Sequence, residues 1–146
     1  MPRVSQKEAL KTRQKIIEVS VELIVKQGFE SLTFTNIATM ANIGRSSINS
    51  HFKRKEDLIE AIRPSIAALV EVPLDFSSGQ SFYSSWVYAI DNDCEFRNLI
   101  NRLEVVLTSE VGVSGLRRRL SHDAKNADKY IYMAIGYAVV NLSDYS

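Results

Sequence analysis

The stretch that decides the fold runs from Thr33 to Phe52, TFTNIATMANIGRSSINSHF. Thr33 is a good helix N-cap, because its hydroxyl can accept a bond from an otherwise unpaired amide of the first turn. One helix is predicted over Phe34 to Ala41 and a second, short one from Arg45 to about Phe52. Between them lie Asn42, Ile43 and Gly44, and Asn is one of the few non-glycine residues that tolerates positive φ in such a turn. Ala38 is small where the two helices must cross closely, and Ile37, Ala41, Ile43, Ile48 and Phe52 are predicted to point inward and lock the pair. The outward side of the second helix is then Arg45, Ser46, Asn49, Ser50 and part of Ser47. A rigid scaffold that projects one short polar helix is what a helix-turn-helix needs to enter a major groove.

Outward from this hairpin the helical period continues. Gln6 to Gln27 holds no Gly or Pro, and Ile16, Ile17, Ser20, Val21, Leu23 and Ile24 form a mostly apolar face that Gly28 terminates. A fourth helix starts near Lys55, with Glu56 and Asp57 in the first turn where the helix dipole favours acids. Pro64 is expected to interrupt this helix or restart it. Pro73 and Asp75 to Gln80 read as a loop, and Phe82, Trp86, Ala89 and Ile90 as the face of a fifth helix. Asn92 and Asp93 break and cap, and Phe96, Leu99, Leu103 and Leu107 trace a sixth. A second break is expected at Val111 to Gly115, and one long final helix through Leu116, Leu120, Ala124, Ala127, Ile131, Ala134 and Ala138. No period-two pattern competes, so the chain reads as all-α. Residues 1–54 are expected to form a three-helix DNA-binding domain, and residues 55–146 a small helical region to which the family likeness given below assigns effector binding and dimerisation.

Composition narrows the function. Hydrophobic residues make up 45% of the 146, enough for a buried core. The net charge of +1 hides a division: residues 1–63 carry eleven Lys or Arg against seven Asp or Glu, and the remainder seven against ten. A basic first part and an acidic second part place any polyanion on the first. Tyr130 to Ser143, the longest run without a formal charge among the apolar C-terminal residues, is too short for a bilayer span, so a soluble cytoplasmic protein without membrane contact is expected. The single cysteine, Cys94, fits a reducing compartment. His122 beside Asp123 has no ligand-spaced partner among two His and one Cys, so no catalytic site, metal or cofactor is expected. Arg117, Arg118 and Arg119 read as a solvated helix face rather than a second phosphate patch.

Short polar groups plus one Arg on the projecting helix suit base edges and phosphates. The amides around Thr33 and the start of the fourth helix at Lys55 would attract phosphate. Arg3, Lys7, Lys11 and Arg13 would extend the contact along the backbone or into the minor groove.

Four stretches resemble the TetR family of repressors: Thr12 to Ile17, Gly28 to Glu30, Thr33 to Ala38, and Ser47 to Leu58. The likeness covers roughly residues 10 to 62. It implies dimeric binding to a near-palindromic double-stranded operator, relieved when a small apolar or cationic effector binds the C-terminal helices. By position, it puts DNA contacts on Thr33, Arg45, Ser46, Ser47, Asn49, Ser50, His51 and Lys55. Asn49 stands where the family usually has an aromatic, Gly44 where a Ser or Thr usually caps, and Val19 and Ser20 where small alanines are usual. The expected effector pocket is Phe82, Trp86, Tyr88, Phe96 and Leu103, with ordinary core filling as the competing reading of the same stripe. A dimeric DNA binder controlled by a protein partner, with no small-molecule ligand, is the alternative. Tyr130 to Leu142, apolar nearly all round, needs cover on more than one side. The expected cover is the same helix of a second copy, approached closely at Ala134, Gly136 and Ala138, and burial within one chain is the competing account.

Overall fold

The computed structural model describes residues 5–103 and 110–142, and all regular structure among them is helical. The chain divides into two compact units, Met1–Ala67 and Ala68–Ser146. The first unit thus runs past the expected boundary at residue 54 and takes in Leu58 and Ile62, both buried.

In the first unit, α1 spans Gln6–Gln27. Ser5 caps it by accepting from the Glu8 amide at 3.2 Å, and Gly28, at φ 91°, closes it with its own N–H on the Ile24 carbonyl. Ile16, Val19, Ser20, Leu23 and Ile24 are its buried stripe. Ser20 is fully buried, and its hydroxyl donates to the Ile16 carbonyl at 2.6 Å, which satisfies a polar group that would otherwise be costly there. Helix α2 spans Phe34–Ala41, capped by Thr33 Oγ1 accepting from the Asn36 amide at 3.1 Å. Asn42 follows in the left-handed conformation, φ 55° and ψ 48°, the one non-glycine positive φ among the described residues. A β-branched side chain there costs about 1–2 kcal/mol. Asn42→Val is therefore expected to lower the stability of this unit by that amount while Asn42→Gly leaves it nearly unchanged, as denaturant titration would read.

Helix α3 spans Arg45–His51 and α4 spans Lys55–Glu71. The α4 start is capped by Asp57, whose carboxylate accepts from the Arg54 amide at 3.2 Å. Pro64 lies inside α4 and does not interrupt it, against expectation. It removes one donor, the N–H that Glu60 would have received, and the flanking turns carry the helix through.

In the second unit, α5 spans Gly79–Asn92 and α6 spans Cys94–Arg102; Asp93 ends one and caps the other by accepting from the Phe96 amide at 3.0 Å. Leu107, expected on the sixth helix, lies outside the described residues. Helix α7 spans Glu110–Arg119 and α8 spans Ala124–Leu142, joined by a 3-10 turn at Ser121–Asp123. Two expectations are corrected here. Val111 to Gly115 is helical, part of α7, not a break. The final helix is not continuous from Leu116, because the chain turns at Ser121–Asp123.

The turn has a physical use. Asp123 Oδ2 accepts from the Gly79 amide at 2.8 Å, and His122 Nε2 lies 3.1 Å from the Ser77 carbonyl, so the turn clasps the start of α5. A Cβ on Gly79 would stand 2.6 Å from Tyr130 Cδ2, which makes glycine the residue that lets α5 and α8 approach this closely. The Asp75-to-Gln80 loop is held as well: Phe76 stacks on Phe82 at 5.5 Å, and the Arg119 guanidinium lies 4.6 Å over the Phe76 ring while reaching Glu71 at 3.4 Å. The Asp123 carboxyl is held below its ordinary value chiefly by the Gly79 amide, and Asp75 likewise by Ser77. Because both folded-state values are depressed, the stability they contribute is present above about pH 4 and is lost as pH falls through the folded values. Melting temperature is expected to drop below that pH, with a shallower drop in Asp123→Asn.

On α8 the buried residues are Ala127, Ile131, Ala134, Ala138 and Leu142. Ala134 and Ala138, expected to meet a second copy, are instead buried within one chain, and only Gly136 of that trio faces outward. The opposite side leaves Tyr132, Val139 and Val140 exposed, at 61%, 52% and 68%. Among the described residues no helix is long and apolar enough to cross a membrane, and no group of three or more His, Cys, Asp or Glu is placed to hold a metal.

Candidate nucleic-acid interface

Helix α3 has only seven residues, too few to hold itself as an isolated helix, so its position depends on what it buries. Ile48 is fully buried and Phe52, one turn on, is 2% exposed. These two side chains anchor it, with Ile37 and Ala41 of α2 buried as expected; Ile43 is only half-buried. The Arg13 guanidinium covers the Phe52 ring at 4.5 Å to the centroid, tying α1 to the end of α3.

Opposite the anchors, Arg45, Ser46, Asn49 and Ser50 are exposed, and Ser47 and His51 are half-buried. Gly44 precedes the helix without a side-chain cap. Arg45 Nη1 reaches back to Thr35 Oγ1 at 3.5 Å, which brings the start of α3 beside the first turn of α2. The Ser50 hydroxyl donates to the Ser47 carbonyl at 2.7 Å, so its oxygen remains outward as an acceptor. Thr33 and Lys55 are exposed at the starts of α2 and α4. Lys7 and Lys11 are exposed on α1, Arg13 is half-buried against Phe52, and Arg3 lies outside the described residues. Sequence reasoning missed Thr35 as a neighbour of Arg45 and Phe52 as a seat for Arg13. The second pair is 39 residues apart in the chain, and no local pattern signals it.

Of the five expected effector residues, the second unit brings four into its interior. Phe82, Trp86 and Phe96 form one aromatic cluster, with ring centroids 5.9 Å apart for Phe82–Trp86 and 5.5 Å, edge-on, for Trp86–Phe96; Leu103 is also buried. Tyr88 is not with them. It is 70% exposed, over a shallow cleft lined by Pro73, Asp75, Gln80, Ser81, Ser84 and Ser85. Arg117 is bound to Asp128 at 2.7 and 3.3 Å, which raises its pKa, so it and Arg119 serve the unit's own packing.

Residues 16–62 match the sequence model for bacterial regulatory proteins of the tetR family. The N-terminal unit belongs to the TetR family. Along the chain, the HTH-type transcriptional regulator SrpR of Pseudomonas putida is 28% identical over 143 residues, covering 95% of this chain and 66% of that protein. The HTH-type transcriptional regulator AcrR of Shigella flexneri is 40% identical over 62 residues, 42% of this chain and 29% of that protein. The "Probable acrEF/envCD operon repressor" of Escherichia coli (strain K12) is 34% identical over 74 residues, 49% of this chain and 34% of that protein. The chain therefore spans two thirds or less of the length of these curated relatives. The SrpR alignment continues well beyond Ile62, where the recognisable motifs stop, into the second unit.

Proposed function

We propose that this chain is a cytoplasmic transcriptional repressor that binds a near-palindromic operator as a homodimer and is released by a small-molecule effector. The observation that carries the reading is α3: a seven-residue helix with Arg45, Ser46, Asn49 and Ser50 outward, anchored by Ile48 and Phe52 inward. Two such helices related by a two-fold axis would enter successive major grooves about 34–36 Å apart. The exposed Tyr132, Val139 and Val140 of α8 supply the apolar face on which a second copy would close. In this reading Thr33 and Lys55 hold phosphates, Arg45 and Asn49 read base edges, and Ser46, Ser47, Ser50 and His51 fill the remaining contacts.

Selection of bound sequences from random duplexes is the test, and an inverted repeat is the expected result. Arg45→Ala should cost about 1–3 kcal/mol on the selected site and relax its base preference. Lys55→Ala should weaken all sequences alike and lower the slope of log K against log salt by about one. If both variants bind as tightly as the parent, the DNA face lies elsewhere. The tight stacking of Phe82, Trp86 and Phe96 favours a second reading, a dimeric DNA binder governed by a protein partner and not a ligand. A panel of small molecules, read by melting temperature and operator release, separates the two.

A further inference from the structure

A helical threonine can turn its hydroxyl back onto the carbonyl four residues before it. Thr12 and Thr39 do so here, donating to the Glu8 and Thr35 carbonyls at 3.1 and 3.0 Å. Thr35, in the first turn of α2, does not. The residue four before it is Ser31, ahead of the Thr33 cap, and the Ser31 carbonyl already accepts from the Thr33 amide and from Asn36 Nδ2, each at 2.9 Å. A carbonyl oxygen has two lone pairs, and both are taken. The Thr35 oxygen faces α3 instead, where it accepts from Arg45 Nη1 at 3.5 Å.

Arg45 supplies the other half. It is exposed, and Thr35 is the one side chain it bonds among the described residues, with no carboxylate competing for it. Its guanidinium is a rigid planar fork of five N–H donors. Thr35 engages one of them on Nη1, which leaves the Nε–Nη2 edge open. A paired edge of this kind is what the O6 and N7 acceptors of a guanine take in the major groove. An untethered arginine gives up its rotamer freedom when it docks, and one already held gives up less.

We propose that Thr35 is a positioning residue for base readout: by holding Nη1 it aims the Nε–Nη2 edge of Arg45 at a guanine in each half-site. This rests on the operator reading above and names the base and the residue that steadies its reader. Thr35 touches no base itself. Thr35→Val removes the acceptor, keeps the shape of the side chain and leaves every charge in place, so it isolates the tether. Thr35→Ala does the same with less bulk, and Thr35→Ser keeps the acceptor.

The test uses the full chain, the duplex it selects from a random pool, and that duplex with each base pair changed singly. At one G·C pair per half-site, the discrimination shown by the parent is expected to fall about tenfold in Thr35→Val and in Thr35→Ala. Thr35→Ser should retain it. The slope of log K against log salt should stay put, because no charge is lost. In an Arg45→Ala background, Thr35→Val should have no further effect, since the two residues act as one unit. In the chain without DNA, nitrogen relaxation at Arg45 Nε should show a looser side chain in Thr35→Val than in the parent or in Thr35→Ser. Equal weakening on every duplex, or an effect of Thr35→Val that persists without Arg45, would mean that Thr35 meets the DNA directly and would overturn the proposal. A parent that selects no sequence removes the operator reading and the role of Thr35 with it. A parent that selects an inverted repeat, read equally well by Thr35→Val and Thr35→Ala, removes the role of Thr35 alone.

Discussion

Phe52→Ala is expected to remove about 3–5 kcal/mol of stability from the first unit and to abolish operator binding. Phe52 is 2% exposed, sits at the end of α3, and donates its amide to the Ile48 carbonyl at 2.8 Å. Truncating the ring leaves Ile48 as the one large anchor of a seven-residue helix, and it also strips the Arg13 guanidinium of the face it covers. A unit of this size buries a modest share of its surface, and total stabilities of about 5–15 kcal/mol leave little reserve. Arg13→Gln is the control. It loses only the cation–π contact, about 0.5–1 kcal/mol at a partly exposed site. Amide exchange at Ile48 and Phe52 reads the effect locally, which matters in a chain of two units whose global melt need not be two-state. A loss under about 1 kcal/mol in Phe52→Ala would show that α3 is held by something other than its anchors.

The second large effect is expected at Trp86, where two terms oppose each other. Trp86→Ala opens a cavity in the aromatic cluster, a loss of about 3–5 kcal/mol, and at the same time removes a buried donor that has no partner among the described residues, a penalty of about 1–3 kcal/mol where it stays unpaired. The cavity wins, and the second unit should be clearly destabilised. In Trp86→Phe the cavity is smaller while the relief is the same, so the balance should fall within about 1 kcal/mol of the parent. The pair separates packing from hydrogen bonding at a single position. If the Phe variant lost as much as the Ala variant, the indole N–H would have to be satisfied in the native state.

Much of this protein is written in local chemistry. The limits of α1, α2 and α3, the left-handed Asn42 and the Asp93 cap follow from residues within one or two turns of each other, because capping and backbone preference act over that distance. The inward and outward sides of α3 are likewise set by a 3.6-residue period over seven positions. By itself, then, the amino-acid order determined an all-α chain with a helix-turn-helix and the identity of its outward residues.

Contacts between distant residues decided the rest. Pro64 looks like a stop, yet α4 runs through it, since one missing hydrogen bond is outweighed by the helix on either side. Leu116 to Ala138 has the period of one helix, yet Asp123 and His122 turn the chain to hold Gly79 and Ser77, more than forty residues away. Ala134 and Ala138 suit a partner's helix as well as the interior of their own chain, and only the packed unit shows them buried within it. Tyr88 and Trp86 are two residues apart in one aromatic stripe, yet one lies in solvent and the other in the core. A period shows which residues share a face. What that face meets is settled only when the whole unit has closed and each buried group has found its neighbour.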